Sequence, residues 1–294
     1  MSDPQSETPS GPDSAGEPIA SAARARSSAG GDGIWALAWP SIALLSLQSL
    51  MGVVDLVFVS SLGTEAVAAV AVATQLHFFL FSLLAAVSAG TVAVVAREWG
   101  RGNRDEVARA ARCSIALSAV IGAVMLLAIP FSEPFVAMLG VAPGVAALSG
   151  RCLAILLAFS IPLAVEFTLS QALRGAGDMR TPLAIGAASI VLNAVGDYAL
   201  IFGRLGAPEL GAEGSAWASG GAYAAGSIAL YWLWVRRHLV LPAGRWRGSL
   251  SRLLAWRMLR VGIPSALEQA AFQGASWPSW PWSPASAPKR SRRT

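Results

Sequence analysis

Apolar residues gather in six long stretches, Ile34–Ser61, Ala66–Ala96, Val107–Phe131, Val145–Leu173, Pro182–Gly203 and Ala212–Val235, parted by short polar connections. Each is as long as the roughly 20 residues a helix needs to cross the hydrocarbon core of a bilayer. A seventh stretch starts near Val261 and breaks off at Trp277-Pro278. The pattern predicts an all-α integral membrane protein, a six-helix transmembrane lobe followed by the start of a seventh helix.

Arginines alternate across these spans. Arg97, Arg101, Arg104, Arg109 and Arg112 follow the second, Arg174 and Arg180 the fourth, and Arg236, Arg237, Arg245, Arg247, Arg252, Arg257 and Arg260 the sixth. The connections after spans one, three and five carry only Arg204, beside Glu65, Glu133, Glu209 and Glu213. Cytoplasmic loops collect Lys and Arg. The expected arrangement is therefore a multi-pass protein of the cell's inner (plasma) membrane with a cytoplasmic N-terminus. Five regions follow: a disordered tail over 1–33, the lobe over 34–236, a basic cytoplasmic loop over 237–260, an incomplete seventh helix over 261–275, and an aberrant Pro/Trp/Arg-rich tail over 276–294. The first tail is rich in Ser, Gly, Ala and Pro and lacks the apolar run of a secretory signal.

Composition agrees with a membrane protein: 54% of residues are hydrophobic and only 13% charged, about half the charge of a soluble domain. The net charge of +5 lies in loops rather than on one face with aromatics, which argues against nucleic acid as a partner. Cys113 and Cys152 fall in or at the edge of apolar spans without CxxC spacing, so they read as small buried hydrophobes. The single lysine, Lys289, leaves no GxxxxGK phosphate loop, and no Ser-His-Asp or HExxH pattern is present. Enzymatic chemistry and a resident cofactor are not expected.

The informative residues are the polar ones inside the spans. Asp55 lies about 12 Å and Asp197 about 9 Å below the outer helix ends at Gly63 and Gly203, at 1.5 Å per residue. Asn193 is one turn from Asp197 on the same face, and Ser215 and Ser219 enter the sixth span at similar depth. Carboxylates in hydrocarbon are costly unless they meet a cavity, a partner or a cation. Carboxylate, amide and hydroxyl oxygens suit Na⁺. The same pair can instead share one proton, since burial and like charge disfavour two bare carboxylates at one level. The plainer alternative is two separate wet crevices near the headgroups. Glu166, Gln171 and His77 are candidate cavity-lining groups, with snorkelling of Glu166 and a simple interhelical hydrogen bond from His77 as alternatives. Trp35, Trp39, Trp232 and Trp234 are expected at the interface, and Pro40 and Pro162 at kinks.

These residues carry a family resemblance. Trp39-Pro-Ser-Ile42, Val54-Asp-Leu-Val-Phe-Val-Ser-Ser-Leu-Gly63, Val95-Ala-Arg-Glu-Trp-Gly-Arg-Gly102, Ala172-Leu-Arg-Gly-Ala-Gly-Asp-Met-Arg-Thr-Pro182, Asn193-Ala-Val-Gly-Asp-Tyr-Ala-Leu-Ile-Phe-Gly203 and Gly214-Ser-Ala-Trp-Ala-Ser219 resemble the multidrug and toxic compound extrusion (MATE) transporters from about Ile34 to Gly274. The resemblance implies a cation-coupled (Na⁺ or H⁺) antiporter that exports amphipathic or cationic drugs. It also implies a fold of twelve helices in two six-helix lobes, of which this chain holds one. By motif position Asp55, Asn193 and Asp197 match the first-lobe cation or proton site, Ser219 matches a hydroxyl that joins it in some members, and Glu268 matches a functional Glu of the seventh helix. If sodium is the coupling ion, Asp55, Asn193 and Asp197 are its ligands.

The chain departs from the family after Gly274. Ile263-Pro-Ser-Ala echoes Trp39-Pro-Ser-Ile42, as if a second lobe begins, but Pro278, Pro281, Pro284 and Pro288 then forbid a continuous helix. The expectation is a reading frame shifted or ended early, with the missing half supplied by a C-terminal lobe or by a homodimer. Two other readings stay open: a non-transporting membrane fragment with a structural or interaction role, and a lipid-linked precursor flippase or metabolite exporter of the same superfamily.

Overall fold

The computed structural model describes residues 39, 42–43, 45–47, 49–243 and 251–275, with side chains to 272. The tails over 1–33 and 276–294, Pro40 and Trp35 lie outside the described residues. Helix α1 covers 49–60. It is followed by α2 (Thr64–Gly100), α3 (Arg104–Leu126), a 3₁₀ turn (Ile129–Phe131) and α4 (Ser132–Ala137). Then come α5 (Pro143–Ala158), α6 (Ser160–Gly175), α7 (Arg180–Phe202), α8 (Ala212–Val235) and α9 (Arg252–Ala275). The described residues contain no strand.

Local chemistry sets these boundaries. The Asn103 side chain accepts from the Glu106 N–H at 3.3 Å, with Asp105 and Glu106 in the first turn of α3. Asp178 caps α7: one carboxylate oxygen accepts from the backbone N–H groups of Arg180 and Thr181, the other from the Thr181 hydroxyl at 2.6 Å. The third apolar stretch runs past Phe131 as a 34-residue span, Arg104–Ala137, interrupted where Pro130 removes a backbone donor.

Three differences from the sequence-based expectation have clear causes. The fourth span is two helices, α5 and α6, bent by 54°. The break falls at Phe159 rather than at Pro162 itself, because the proline ring obstructs the carbonyl four residues before it. The Phe159 side chain fills the space beside Gly220 of α8 and meets the Trp217 ring edge-on, with centroids 5.6 Å apart. Helix α9 starts at Arg252, nine residues before Val261, so part of the expected basic loop is helical and Pro264 lies inside the helix. Trp234 is buried in the core with Leu230, Leu169 and Met258, whereas Trp232 is exposed as an interfacial indole would be.

By length and apolarity alone, α2, Arg104–Ala137 and α7 are long enough to cross a membrane, and the bent α5–α6 pair makes a fourth. Helix α8 is as long but rich in Gly, Ala and Ser, and α9 carries Arg252, Arg257, Arg260 and Glu268. Large apolar side chains on α1, α3 and α7, among them Val57, Val120 and Val191, point outward, as lipid-facing residues do.

The core has three layers: one at the arginine-rich end around Val107, Leu173, Leu230 and Met258, one in the middle around Leu84, Leu153 and Leu157, and one at the other end around Val59 and Ile201. Arg112 is buried at 4% exposure, and its guanidinium donates to the Ala243 carbonyl at 2.6 Å, tying α3 to the chain after α8. Arg112→Ala is expected to cost about 1.5–3 kcal/mol, the worth of a charged buried hydrogen bond, as a lower unfolding midpoint in detergent. An unchanged midpoint would mean that this tie carries no load.

Candidate functional site

Helices α7 and α8 cross at small residues. A β-carbon on Gly196 would stand 2.9 Å from the Ala218 β-carbon, and one on Gly214 would stand 2.7 Å from the Leu200 carbonyl. Such close backbone approach is how helices associate in lipid, where hydrophobicity supplies no drive. The crossing presents Asn193 and Asp197 of α7 to Ser219 of α8, and α1 lays Asp55 against them.

The contacts are direct. Asn193 Nδ2 donates to Ser219 Oγ at 3.2 Å, and Ser219 Oγ donates to Asp55 Oδ2 at 3.4 Å. Ser219 thus links Asn193 of α7 to Asp55 of α1, with Asp197 one turn from Asn193 on the same face. Asn193 and Asp197 are fully buried and Ser219 nearly so. Four acceptor oxygens (Asp55 Oδ1, Asn193 Oδ1, Asp197 Oδ1 and Oδ2) are buried with no hydrogen-bond donor among the described residues. Buried acceptors are ordinarily satisfied. Four unpartnered acceptor oxygens, three of them from carboxylates, are an arrangement that a cation or a proton can satisfy. The oxygens present come from carboxylates, an amide and a hydroxyl, the donor types that hard cations take.

One cavity opens on this cluster, and a second adjoins the first. One, of about 110 Å³, is lined by Asp55, Ser215, Ser219, Thr74, His77 and Tyr223. The other, of about 240 Å³, is lined by Glu166, Gln171, Arg174, Ser189, His77 and Tyr223. Met51, Phe78, His77 and Tyr223 border both. Glu166 and Ser189 lie over Gly226 of α8. His77 is buried at 5% exposure with Nδ1 unpartnered among the described residues.

Asp55, Asn193, Asp197 and Ser219 thus come together, and Glu166, Gln171 and His77 line the adjoining space. Glu268 does not join them: it is exposed on α9 and borders none of these cavities. Tyr223 escaped the sequence reading, although its place one turn after Ser219 signals the same face. The ion pair Arg151–Glu213, at 2.5 Å between α5 and α8, escaped it too, since nothing in the spacing links residues so far apart.

The fold and this polar cluster are those of a helical membrane transporter. The MatE family model matches residues 40–199, and the chain belongs to that family. It is 30% identical over 242 residues to the protein of Thermotoga maritima named "Probable multidrug resistance protein NorM", covering 80% of this chain and 51% of that one. A protein of the same name from Rhizobium meliloti is 32% identical over 177 residues, 60% of this chain and 38% of the relative. Among solved structures, a MOP superfamily transporter from Pyrococcus furiosus superposes with a TM-score of 0.76 at 26% identity, covering 83% of this chain and 53% of that one. An outward-facing multidrug resistance MATE family transporter superposes equally well. These neighbours are transporters, not enzymes. The chain spans about half the length of the relatives it matches.

Proposed function

We propose that this chain is the ion-binding half of a cation-coupled multidrug efflux antiporter. Asp55 and Asp197, aided by Asn193 and Ser219, hold one Na⁺ or one proton. The names of the relatives support drug export, and the four donorless acceptor oxygens around Asp55 and Asp197 support coupling to a cation.

The coupling is reciprocal. With the cation bound, one of the two negative charges is offset, the repulsion between the carboxylates is relieved, and α1 can pack against α7 and α8. With the cation gone, two like charges face each other in a dry setting, which favours a conformation that separates or hydrates them. A cationic drug in the adjoining cavities, near Glu166, favours the ion-free state, and linkage makes the two bindings oppose each other. Alternating access rocks one lobe against another, so the second lobe comes from the rest of a longer chain or from a second copy. The arginine-rich end faces the cytoplasm of a cell's inner membrane.

Vesicles containing the chain and a cationic dye test this reading. Dye movement is expected to follow an imposed sodium or proton gradient and to fall at least tenfold in Asp55→Asn. Dye movement indifferent to both gradients contradicts coupling. Cation binding without any dye movement favours the non-transporting alternative.

A further inference from the structure

At the arginine-rich end a cavity of about 650 Å³ opens between α2 and α9. Arg97 and Arg101 border it from α2 and its C-terminal cap, Arg257 and Arg260 from α9, and Glu98 is the one acidic residue in its lining. Glu98 is committed to Arg101 through a 2.9 Å ion pair. Arg97, Arg257 and Arg260 have no carboxylate within ion-pair distance among the described residues. Among the described residues, three arginines without a carboxylate partner therefore line one concavity.

The two helices hold the cavity rigidly. They run antiparallel and touch where Gly262 meets the Ala86 backbone and Gly90 meets the Met258 backbone, contacts that leave no room for a β-carbon on either glycine. The remaining wall is apolar: Ala93, Val94 and Val261. Exposed Trp256 flanks the cationic end. Indoles favour the headgroup level. A cationic mouth over an apolar wall fits an amphiphile with an anionic head.

We propose that this cavity is a binding site for an anionic membrane phospholipid, with the phosphate held by Arg97, Arg257 and Arg260 and an acyl chain lying along Ala93, Val94 and Val261. Guanidinium groups bind phosphate through paired, planar donors, and basic pockets between helices at a membrane surface take lipid headgroups. A soluble anion would use the arginines but leave the apolar wall wet. The site is separate from the Asp55–Asp197 cluster and does not depend on that cluster's role.

The test is native mass spectrometry of the full chain released from nanodiscs of phosphatidylcholine with or without phosphatidylglycerol. The wild type is expected to retain one phosphatidylglycerol in preference to phosphatidylcholine. Each arginine removed is expected to weaken retention about fivefold, so Arg97→Gln with Arg260→Gln weakens it on the order of 25-fold. Arg257→Gln alone serves if the double variant fails to fold by circular dichroism. Arg204→Gln, at the other end of the bundle, is expected to change nothing, and Glu98→Gln, which frees Arg101, to tighten retention. Equal retention of both lipids, a double variant within twofold of wild type, or inorganic phosphate bound as tightly as phosphatidylglycerol would each overturn the proposal.

Discussion

Asp197→Asn is expected to abolish the response of this protein to its cation while leaving it at least as stable without one. In the wild type, both Asp197 oxygens are buried beside Asp55 with no donor among the described residues. A ligand that binds only the folded state at 100 times its dissociation constant adds about 2.7 kcal/mol. That is an upward shift on the order of 5–10 °C for a chain of this size. Melting curves of the detergent-solubilised protein against sodium concentration and against pH should show such a shift in the wild type and lose it in the variant. The variant's ion-free midpoint should equal or exceed that of the wild type, because an amide removes an uncompensated buried charge. A variant that melts much lower and still shifts with cation would mean that Asp197 is structural.

The second large effect is steric. Gly214→Val is expected to lower stability by about 3 kcal/mol, toward the upper end of overpacking costs. Its β-carbon would press on the Leu200 carbonyl at 2.7 Å, where backbone faces backbone and no side chain can swing aside. Gly221→Val on the same helix is the control, since a β-carbon there meets nothing within 4 Å. Forcing α7 and α8 apart also lengthens the Asn193–Ser219 contact, so Gly214→Val should blunt the cation shift that Gly221→Val retains. Equal midpoints for the two variants would mean that the crossing is looser than the structure has it.

The spans and the polar cluster were legible for one reason: in an apolar run an Asp or Asn is conspicuous, and 1.5 Å per residue converts its position into depth. Asp55, Asn193, Asp197 and Ser219 could therefore be grouped by level before any coordinates. Level does not fix azimuth, and that is where reading by depth alone stopped. Whether Asn193 and Asp197 faced Ser219 depended on contacts such as Gly196 against Ala218, which involve residues without polar chemistry to flag them. Glu268 shows the same limit, since its match to a motif said nothing about which face of α9 it occupies. The start of α9 at Arg252 was hidden because its first turns carry arginines, which read as loop when charge alone marks the connections. The bend at Phe159 was misplaced by three residues because a proline acts on the carbonyl of the preceding turn rather than at its own position.

Infrared difference spectroscopy of the reconstituted protein tests the central claim most directly, by following the carboxyl stretch as sodium or acid is added. A protonated-carboxyl band from the pair should appear as pH falls, recede as sodium is added if sodium is the ligand, and shift in frequency and in pH midpoint in both Asp55→Asn and Asp197→Asn. A carboxyl band with the same frequency and pH midpoint in both variants as in the wild type, or a spectrum that neither cation alters, would contradict joint cation binding by Asp55 and Asp197.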